Sequence, residues 1–382
     1  MKKTFCIFSA TYFPNMGGVE RYTYNLAKQL IVKGHRVIVV TSNVFCLDNI
    51  EVLEQIKIYR MPCFKLLNGR FPVLKLSLKF WSLHRQLLNE KVDYVIVNTR
   101  FYVHSLYGTI FANKAGKKNI VIEHGSGHFT VDNYVLDSLG HLYEHVITAL
   151  IKRYQVDFYG VSSACNVWLR HFKIKAKDIL YNSVDVGEIS ELIKNPTKNY
   201  RQMYKLKEDA LIVTYTGRLI QEKGILKLLD AVKILINEGF PIYLIIAGEG
   251  LLQKEIGKQQ TQNIIFLGRI EFSDIVALLD QSDVFCLPTD YSEGFPTSII
   301  EAAACRCFCI STAHGGSKEL ILDDSYGAIL EKNTAESIAT VLRKVAIDYE
   351  YRSAATEKGY GRVAELFNWN ATVKKLIDVT AG

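Results

Sequence analysis

Short runs of apolar, β-branched and aromatic residues alternate along the chain with longer stretches whose apolar positions recur every three or four residues. That alternation predicts strands separated by amphipathic helices, the pattern of a mainly parallel sheet. In the first half, strands are predicted at 5–10, 36–42, 92–98, 119–123 and 157–162, with a short closing run at 179–181. Helices are predicted between them at 19–33, 73–89, 103–115, 138–154 and 164–171. A polar stretch from Lys194 to Asp209 carries Pro196, is poor in core residues, and is expected to be a linker. A second series follows, with strands at 211–216, 242–247, 264–267, 284–287 and 308–311 and helices at 225–238, 273–280 and 297–304. The prediction is two doubly wound α/β domains in tandem. Ligands of such sheets lie beyond the carboxyl ends of the strands, so the residues just after strands are the candidates for chemistry.

Composition narrows the classes. The chain has 382 residues, 49% apolar and 22% charged, enough for two cores and incompatible with a wholly disordered or collagen-like chain. Its 46 Lys and Arg against 39 Asp and Glu leave +7, which suits an anionic ligand or surface without indicating nucleic acid. Up to Asp185 there are 24 basic and 13 acidic residues, and beyond it 22 and 26, so the first part is +11 and the second −4. The basic part is the one expected to face an acidic surface. Eight cysteines form neither a disulfide framework nor a paired C-x-x-C spacing, which points to a reducing compartment. Cys305, Cys307 and Cys309 alternate and would share one face of a strand, as buried core residues or, alternatively, as a metal clip. The segment after Met1-Lys2-Lys3 is too short for a signal peptide, and no run is long enough to span a membrane. The expected location is cytoplasmic, or peripheral on the cytosolic face of a membrane.

Several motifs fall just after predicted strands. Gly17 and Gly18 form a turn that opens a helix, where free amides can hold an anion or where the chain simply turns tightly. A dinucleotide G-x-G-x-x-G is missing, since Gly248-Glu249-Gly250 runs into Leu251-Leu252-Gln253, and no phosphate-loop motif occurs. Arg218 follows the strand at 211–216, and Lys223 lies five positions on, before Gly224 and a helix. Two such cations make a phosphate clamp or two solvated charges. The segment Ser292-Glu293-Gly294-Phe295-Pro296-Thr297 leads into a helix carrying Glu301. Pro296 suits the first helical position, which leaves Glu293 in the loop and exposes the amides around Phe295 and Thr297 to an anion. The two carboxylates could act as acid and base or accept hydrogen bonds from sugar hydroxyls.

These residues resemble a retaining glycosyltransferase of family 4, through Gly17-Gly18-Val19-Glu20-Arg21, Glu123-His124-Gly125, Gly217-Arg218 with Lys223-Gly224, the Glu293 and Glu301 pair, and Gly315-Gly316-Ser317. The resemblance spans nearly the whole chain. It implies the GT-B fold: two Rossmann-like doubly wound domains facing a central cleft, with a C-terminal helix crossing back to the first. On that scheme residues 1–185 bind the acceptor, 186–366 bind the nucleotide sugar, and 367–382 form the returning helix. The implied activity is transfer of a sugar from a nucleoside diphosphate sugar, UDP favoured over GDP, to a saccharide or lipid-linked saccharide acceptor in cell-surface polysaccharide or glycolipid assembly. Arg218 and Lys223 would hold the diphosphate, Glu301 the ribose, and Glu293 would lie near the transferred sugar. The backbone at Gly294, Phe295, Pro296 and Thr297 would complete the cradle. His124 would contact the sugar, and Gly17 and Gly18 would lie against the diphosphate. No D-x-D motif occurs, so no metal or cofactor is expected in the transfer. Ser183, Arg306 and Phe308 depart from the residues common in the family.

The predicted helix at 73–89 puts Lys75, Lys79, Ser82, Gln86 and Asn89 on one face and Val73, Leu76, Phe80, Leu83 and Leu87 on another. It packs on the core or, with Lys65, Arg70 and Arg85 nearby, attaches to an anionic bilayer. Two other functions stay open at this point, a nucleotide-sugar epimerase or hydrolase on the same fold and a membrane-associated scaffold with a degenerate nucleotide site.

Overall fold

The computed structural model describes residues 2–130 and 133–381, so Met1 of the charged amino terminus lies outside the described residues. The chain forms two compact units, Met1–Asn182 with Trp369–Gly382, and Ser183–Asn368.

In the first unit, strands β1 (Thr4–Phe8), β2 (Arg36–Ser42), β3 (Ile50–Leu53), β4 (Ile56–Met61), β5 (Cys63–Leu66), β6 (Phe71–Leu74), β7 (Tyr94–Asn98), β8 (Lys118–Glu123), β9 (Asp157–Gly160) and β10 (Asp178–Ile179) alternate with helices. These helices are α1 (Gly18–Val32), α2 (Leu78–Leu88), α3 (Val103–Lys114), α4 (Tyr134–Ile151) and α5 (Ser163–His171). The main sheet runs β10-β9-β8-β7-β1-β2-β4-β3, and β3 is its antiparallel edge. Val37, Ile38, Val39 and Val40 are all fully buried, as a parallel strand covered on both faces requires. Because β1 lies between β2 and β7, the strand order reverses at β1.

The second unit contains α6 (Val186–Lys194), α7 (Tyr200–Met203), β11 (Leu211–Thr216), α8 (Ile225–Asn237), β12 (Ile242–Ala247), α9 (Gln253–Lys258), β13 (Ile264–Gly268), α10 (Phe272–Asp280) and β14 (Val284–Leu287). It continues with α11 (Thr297–Ala304), β15 (Phe308–Thr312), α12 (Ser317–Leu320), β16 (Ala328–Leu330), α13 (Ala335–Ile347) and α14 (Tyr349–Glu365). Its sheet order, β13-β12-β11-β14-β15-β16, is the dinucleotide-fold order, again reversing at the first strand. The last helix, α15 (Trp369–Ala381), belongs to the first unit, where Trp369 packs edge-on against Tyr22 of α1 at 5.1 Å. Lys118 also donates to the Val379 carbonyl at 2.6 Å.

Three expectations are corrected. The stretch from Lys194 to Asp209 is part of the second unit, not a linker: Asn199 caps α7, and Tyr200 is buried with Leu206 and Ala210 in its core. Its polar residues are spent on caps and pairs. The helix expected at 73–89 starts only at Leu78, because Val73 pairs with Phe64 in the β5–β6 hairpin and Ser77 accepts the Phe80 amide as N-cap. Finally, Cys305, Cys307 and Cys309 do not share a strand. Cys305 caps the end of α11, Cys307 precedes β15, and only Cys309 lies in it, although all three are buried free thiols.

Candidate active site

At the end of the second sheet, the loops after β11 and β14 flank the point where strand order reverses, the usual place for a ligand in such sheets. The two loops are stapled together. The Asp290 amide donates to the Glu222 carbonyl at 2.7 Å, and the Thr289 hydroxyl donates to the same oxygen at 3.3 Å. Gly224 sits at φ 71°, and a Cβ there would lie 1.9 Å from the Pro288 carbonyl oxygen, so only glycine allows this approach.

The staple holds Lys223 in a buried position, with its ammonium against the Glu293 carboxylate. Burial, and after it the Arg218 guanidinium, press the Lys223 amine down to about 7, while the ion pair with Glu293 opposes them. Arg218 is exposed and has no carboxylate partner among the described residues. Tyr291 lies under both cations, its ring centroid 5.0 Å from the Arg218 guanidinium carbon and 5.6 Å from the Lys223 nitrogen. Nothing in the sequence pattern singled out Tyr291, because a single aromatic in an irregular loop carries no periodicity.

Beyond Glu293 the chain turns into α11. Pro296 is the N-cap rather than the first helical residue, and no side chain caps the helix. Its first-turn amides, from Thr297 onward, therefore have no intrahelical partner. Glu301 is buried in the second turn. Phe295 anchors the loop against Phe367 at 5.0 Å, and the Gly316 amide donates to the Gly294 carbonyl at 3.0 Å. A Cβ on Gly316 would come within 2.4 Å of the Phe295 ring, and one on Gly315, at φ 60°, within 2.8 Å of the Glu293 carbonyl oxygen, which explains the paired glycines after β15. Arg218, Lys223, Glu293, Gly294, Phe295, Pro296, Thr297 and Glu301 thus gather at one end of one sheet.

In the first unit, His124 follows β8. Its Nε2 lies 3.0 Å from Asn98 Oδ1, and the Asn98 amide donates to the Thr23 hydroxyl at 2.7 Å. With the amide nitrogen so used, His124 Nε2–H is the donor and Nδ1 carries the lone pair. Tyr22 packs edge-on against the imidazole at 4.7 Å, and burial pushes its pKa down to about 3. His124 is therefore a neutral hydrogen-bonding group. The amides of His124 and Gly125 both donate to Glu123 Oε1 at 3.1 Å, and buried Arg100 pairs with Glu123 at 3.2 Å and with Glu144 at 3.2 Å. Burial nonetheless raises the Glu123 carboxyl above its usual range, against the pull of Arg100.

Gly17 caps α1 and Gly18 opens it, but the space beside Gly17 belongs to Glu20. That buried carboxylate accepts from the Thr11 hydroxyl and, at 3.1 Å, from the Asn15 amide. A Cβ on Gly17 would sit 2.7 Å from its Oε2. Gly17 and Gly18 are exposed and no side chain caps α1, while Asn98 and Tyr22, which hold His124, and Arg100, which pairs with Glu123, are neighbours that spacing alone did not reveal.

Two family models match the chain: "Glycosyltransferase Family 4" over residues 16–188 and "Glycosyl transferases group 1" over residues 196–362. The chain belongs to glycosyltransferase family 4. An uncharacterized glycosyltransferase of Methanocaldococcus jannaschii is 25% identical, the match covering 97% of this chain and 96% of that protein. A human phosphatidylinositol N-acetylglucosaminyltransferase subunit is 24% identical over 97% of this chain and 74% of its own length. Among solved structures, HepE of Anabaena in complex with UDP superimposes with a TM-score of 0.76 at 18% identity, covering 100% of both chains. The same protein with UDP-glucose gives 0.72 at 16%, covering 99% of both. This family-4 glycosyltransferase accordingly has the GT-B fold, with two Rossmann-like domains.

Proposed function

We propose that the protein moves a sugar, with retention of anomeric configuration, from a nucleoside diphosphate sugar to an acceptor hydroxyl. The observation that carries this reading is the grouping of Lys223, Arg218 and the uncapped start of α11 around one loop, with Glu301 buried one turn further on. Lys223, Arg218 and the α11 amides would stabilise the negative charge that grows on the diphosphate as the bond from the anomeric carbon to its oxygen breaks. Glu301 would accept from the ribose hydroxyls. Glu293 would exchange its contact with Lys223 for the transferred sugar, and His124, neutral and fixed by Asn98, would hydrogen-bond that sugar. UDP is the favoured nucleotide, supported by the UDP and UDP-glucose complexes of HepE. Calorimetric titration with UDP, GDP and ADP, followed by a donor screen with and without candidate acceptors, tests the reading. Binding of none of the three by folded protein would overturn it, and turnover without any acceptor would make the protein a hydrolase or epimerase.

The acceptor is proposed to be a lipid-linked saccharide, met at an anionic membrane surface. The first unit exposes Phe64, Leu66, Leu78 and Trp81 beside Lys65, Arg70 and Lys79, so the apolar positions at 73–89 divide between core and solvent. A second apolar stripe, Val135, Leu139, Leu142 and Val146, is exposed on α4, whose Tyr143 packs against Phe71 of the hairpin at 5.5 Å. No helix among the described residues is long and apolar enough to cross a membrane. Flotation with anionic vesicles is expected to carry the protein upward, and neutral vesicles to carry it less. Equal absence from both would exclude this surface.

A further inference from the structure

Three histidines from separate segments converge in the first unit at a place the transfer reaction does not use. His128 lies in the loop four residues after His124, His145 on α4, and His171 at the end of α5. Each offers one ring nitrogen, and the three nitrogens lie within 4.8 Å of one another. His145 and His171 approach through Nε2 at 3.2 Å. A tetrahedral zinc ion with bonds of about 2.0–2.1 Å to imidazole holds two such nitrogens about 3.3 Å apart.

The surroundings orient these rings. His128 Nδ1 lies 3.2 Å from Glu144 Oε2, and Glu144 is buried and tied to Arg100. A carboxylate on Nδ1 fixes the tautomer and turns the Nε2 lone pair outward, the usual support behind a metal-bound histidine. His171 stacks flat on Trp168 at 4.9 Å, and His128 meets the same indole edge-on at 4.8 Å. His145 and His171 are exposed, which gives an ion a path in from solvent and leaves its fourth position to water. Three imidazoles and no thiolate suit zinc or a neighbouring divalent transition ion rather than magnesium or calcium.

We propose that His128, His145 and His171 form a divalent transition-metal site, with zinc as its natural probe, that pins the loop carrying His124 to α4 and α5. The ion would act on the loop's position and not on the leaving diphosphate. The test uses untagged full-length protein, stripped with chelator and titrated with zinc chloride in competition with a chromophoric chelator. One zinc per chain is expected, with a rise in melting temperature on zinc addition. His145→Ala and His171→Ala are each expected to weaken binding at least tenfold and to abolish that rise. His141→Ala, whose ring stacks on His128 at 3.9 Å without joining the three, is expected to bind zinc as the parent does. His145→Gln and His171→Gln, checked for native circular dichroism, separate ligand loss from misfolding. Failure of the parent to hold zinc against the chelator, or equal zinc affinity in the parent and a His145→Ala/His171→Ala double variant, would overturn the proposal. Neither result depends on the identity of the sugar donor.

Discussion

The start of α1, which follows the reversal strand β1, and the start of α11, which follows β14 beside the reversal strand β11, treat charge in opposite ways. At α1 the chain's own Glu20 fills the space beside Gly17, and the nearby histidine is neutral. At α11 the first turn holds no acid, and two cations stand on the neighbouring loop over Tyr291. An acid in the first turn already interacts with the positive end of its helix and opposes a second negative charge there. The same uncapped helix start therefore carries a buried acid of its own in one unit and, on the proposed reading, a diphosphate grip in the other.

The sharpest break of this contrast is Arg100→Met. It would leave Glu123 and Glu144 buried without their cation, and unfolding in urea is expected to show a loss of about 3–5 kcal/mol. UDP affinity of the folded fraction is expected to stay unchanged, and a loss of affinity instead would mean that the first unit's charges are not merely internal.

Lys223→Ala is expected to do the reverse. Turnover should fall roughly a hundredfold, equivalent to about 3 kcal/mol of transition-state stabilisation, as measured by initial rates at saturating acceptor. Unaltered turnover would remove the clamp from the proposed mechanism.

The pH dependence separates the units next. His104 and His124 are held neutral by burial, at about 4 and about 3, whereas both take up a proton near 6.5 when unfolded. The unfolded chain binds the extra protons, so stability falls as pH drops below 6.5, by up to about 1.4 kcal/mol per pH unit for each histidine. Lys223 has the opposite consequence for binding, since its charge is lost as pH rises through about 7. UDP affinity measured by calorimetry is therefore expected to decline between pH 6 and 8.5, with a Lys223→Arg variant showing a flatter profile. A flat profile in the parent would mean that Glu293 keeps the lysine charged throughout. The smallest effect belongs to Tyr291→Leu, with a loss of about 0.5–1 kcal/mol in UDP binding from the cation–π contacts.

Strand and helix alternation was legible because parallel strands such as β2 bury both faces and read as unbroken apolar runs. The start of α11 was legible to within one residue, because Pro296 marks a local backbone requirement although it is the N-cap and not the first helical residue. Periodicity failed at 73–89, where Pro72 and Val73 belong to a hairpin whose partner strand lies several residues upstream. It failed again at 194–209, where polar residues are consumed by Asn199 capping α7 and by Gln281, whose side chain accepts the Tyr200 amide at 2.7 Å.

By itself, then, the sequence determined the two doubly wound sheets and the candidate residues placed just after their strands. Only the tertiary structure decided that Lys223 meets Glu293, that Tyr291 underlies both cations, that the Glu20 carboxylate lies beside Gly17, and that three histidines converge beside Trp168. The reason is the range of the forces involved. Burial period and turn strain act within a few residues and leave their mark in local order, whereas these contacts join residues as far apart in sequence as Arg218 and Tyr291 and exist only once the sheets have brought the loops together.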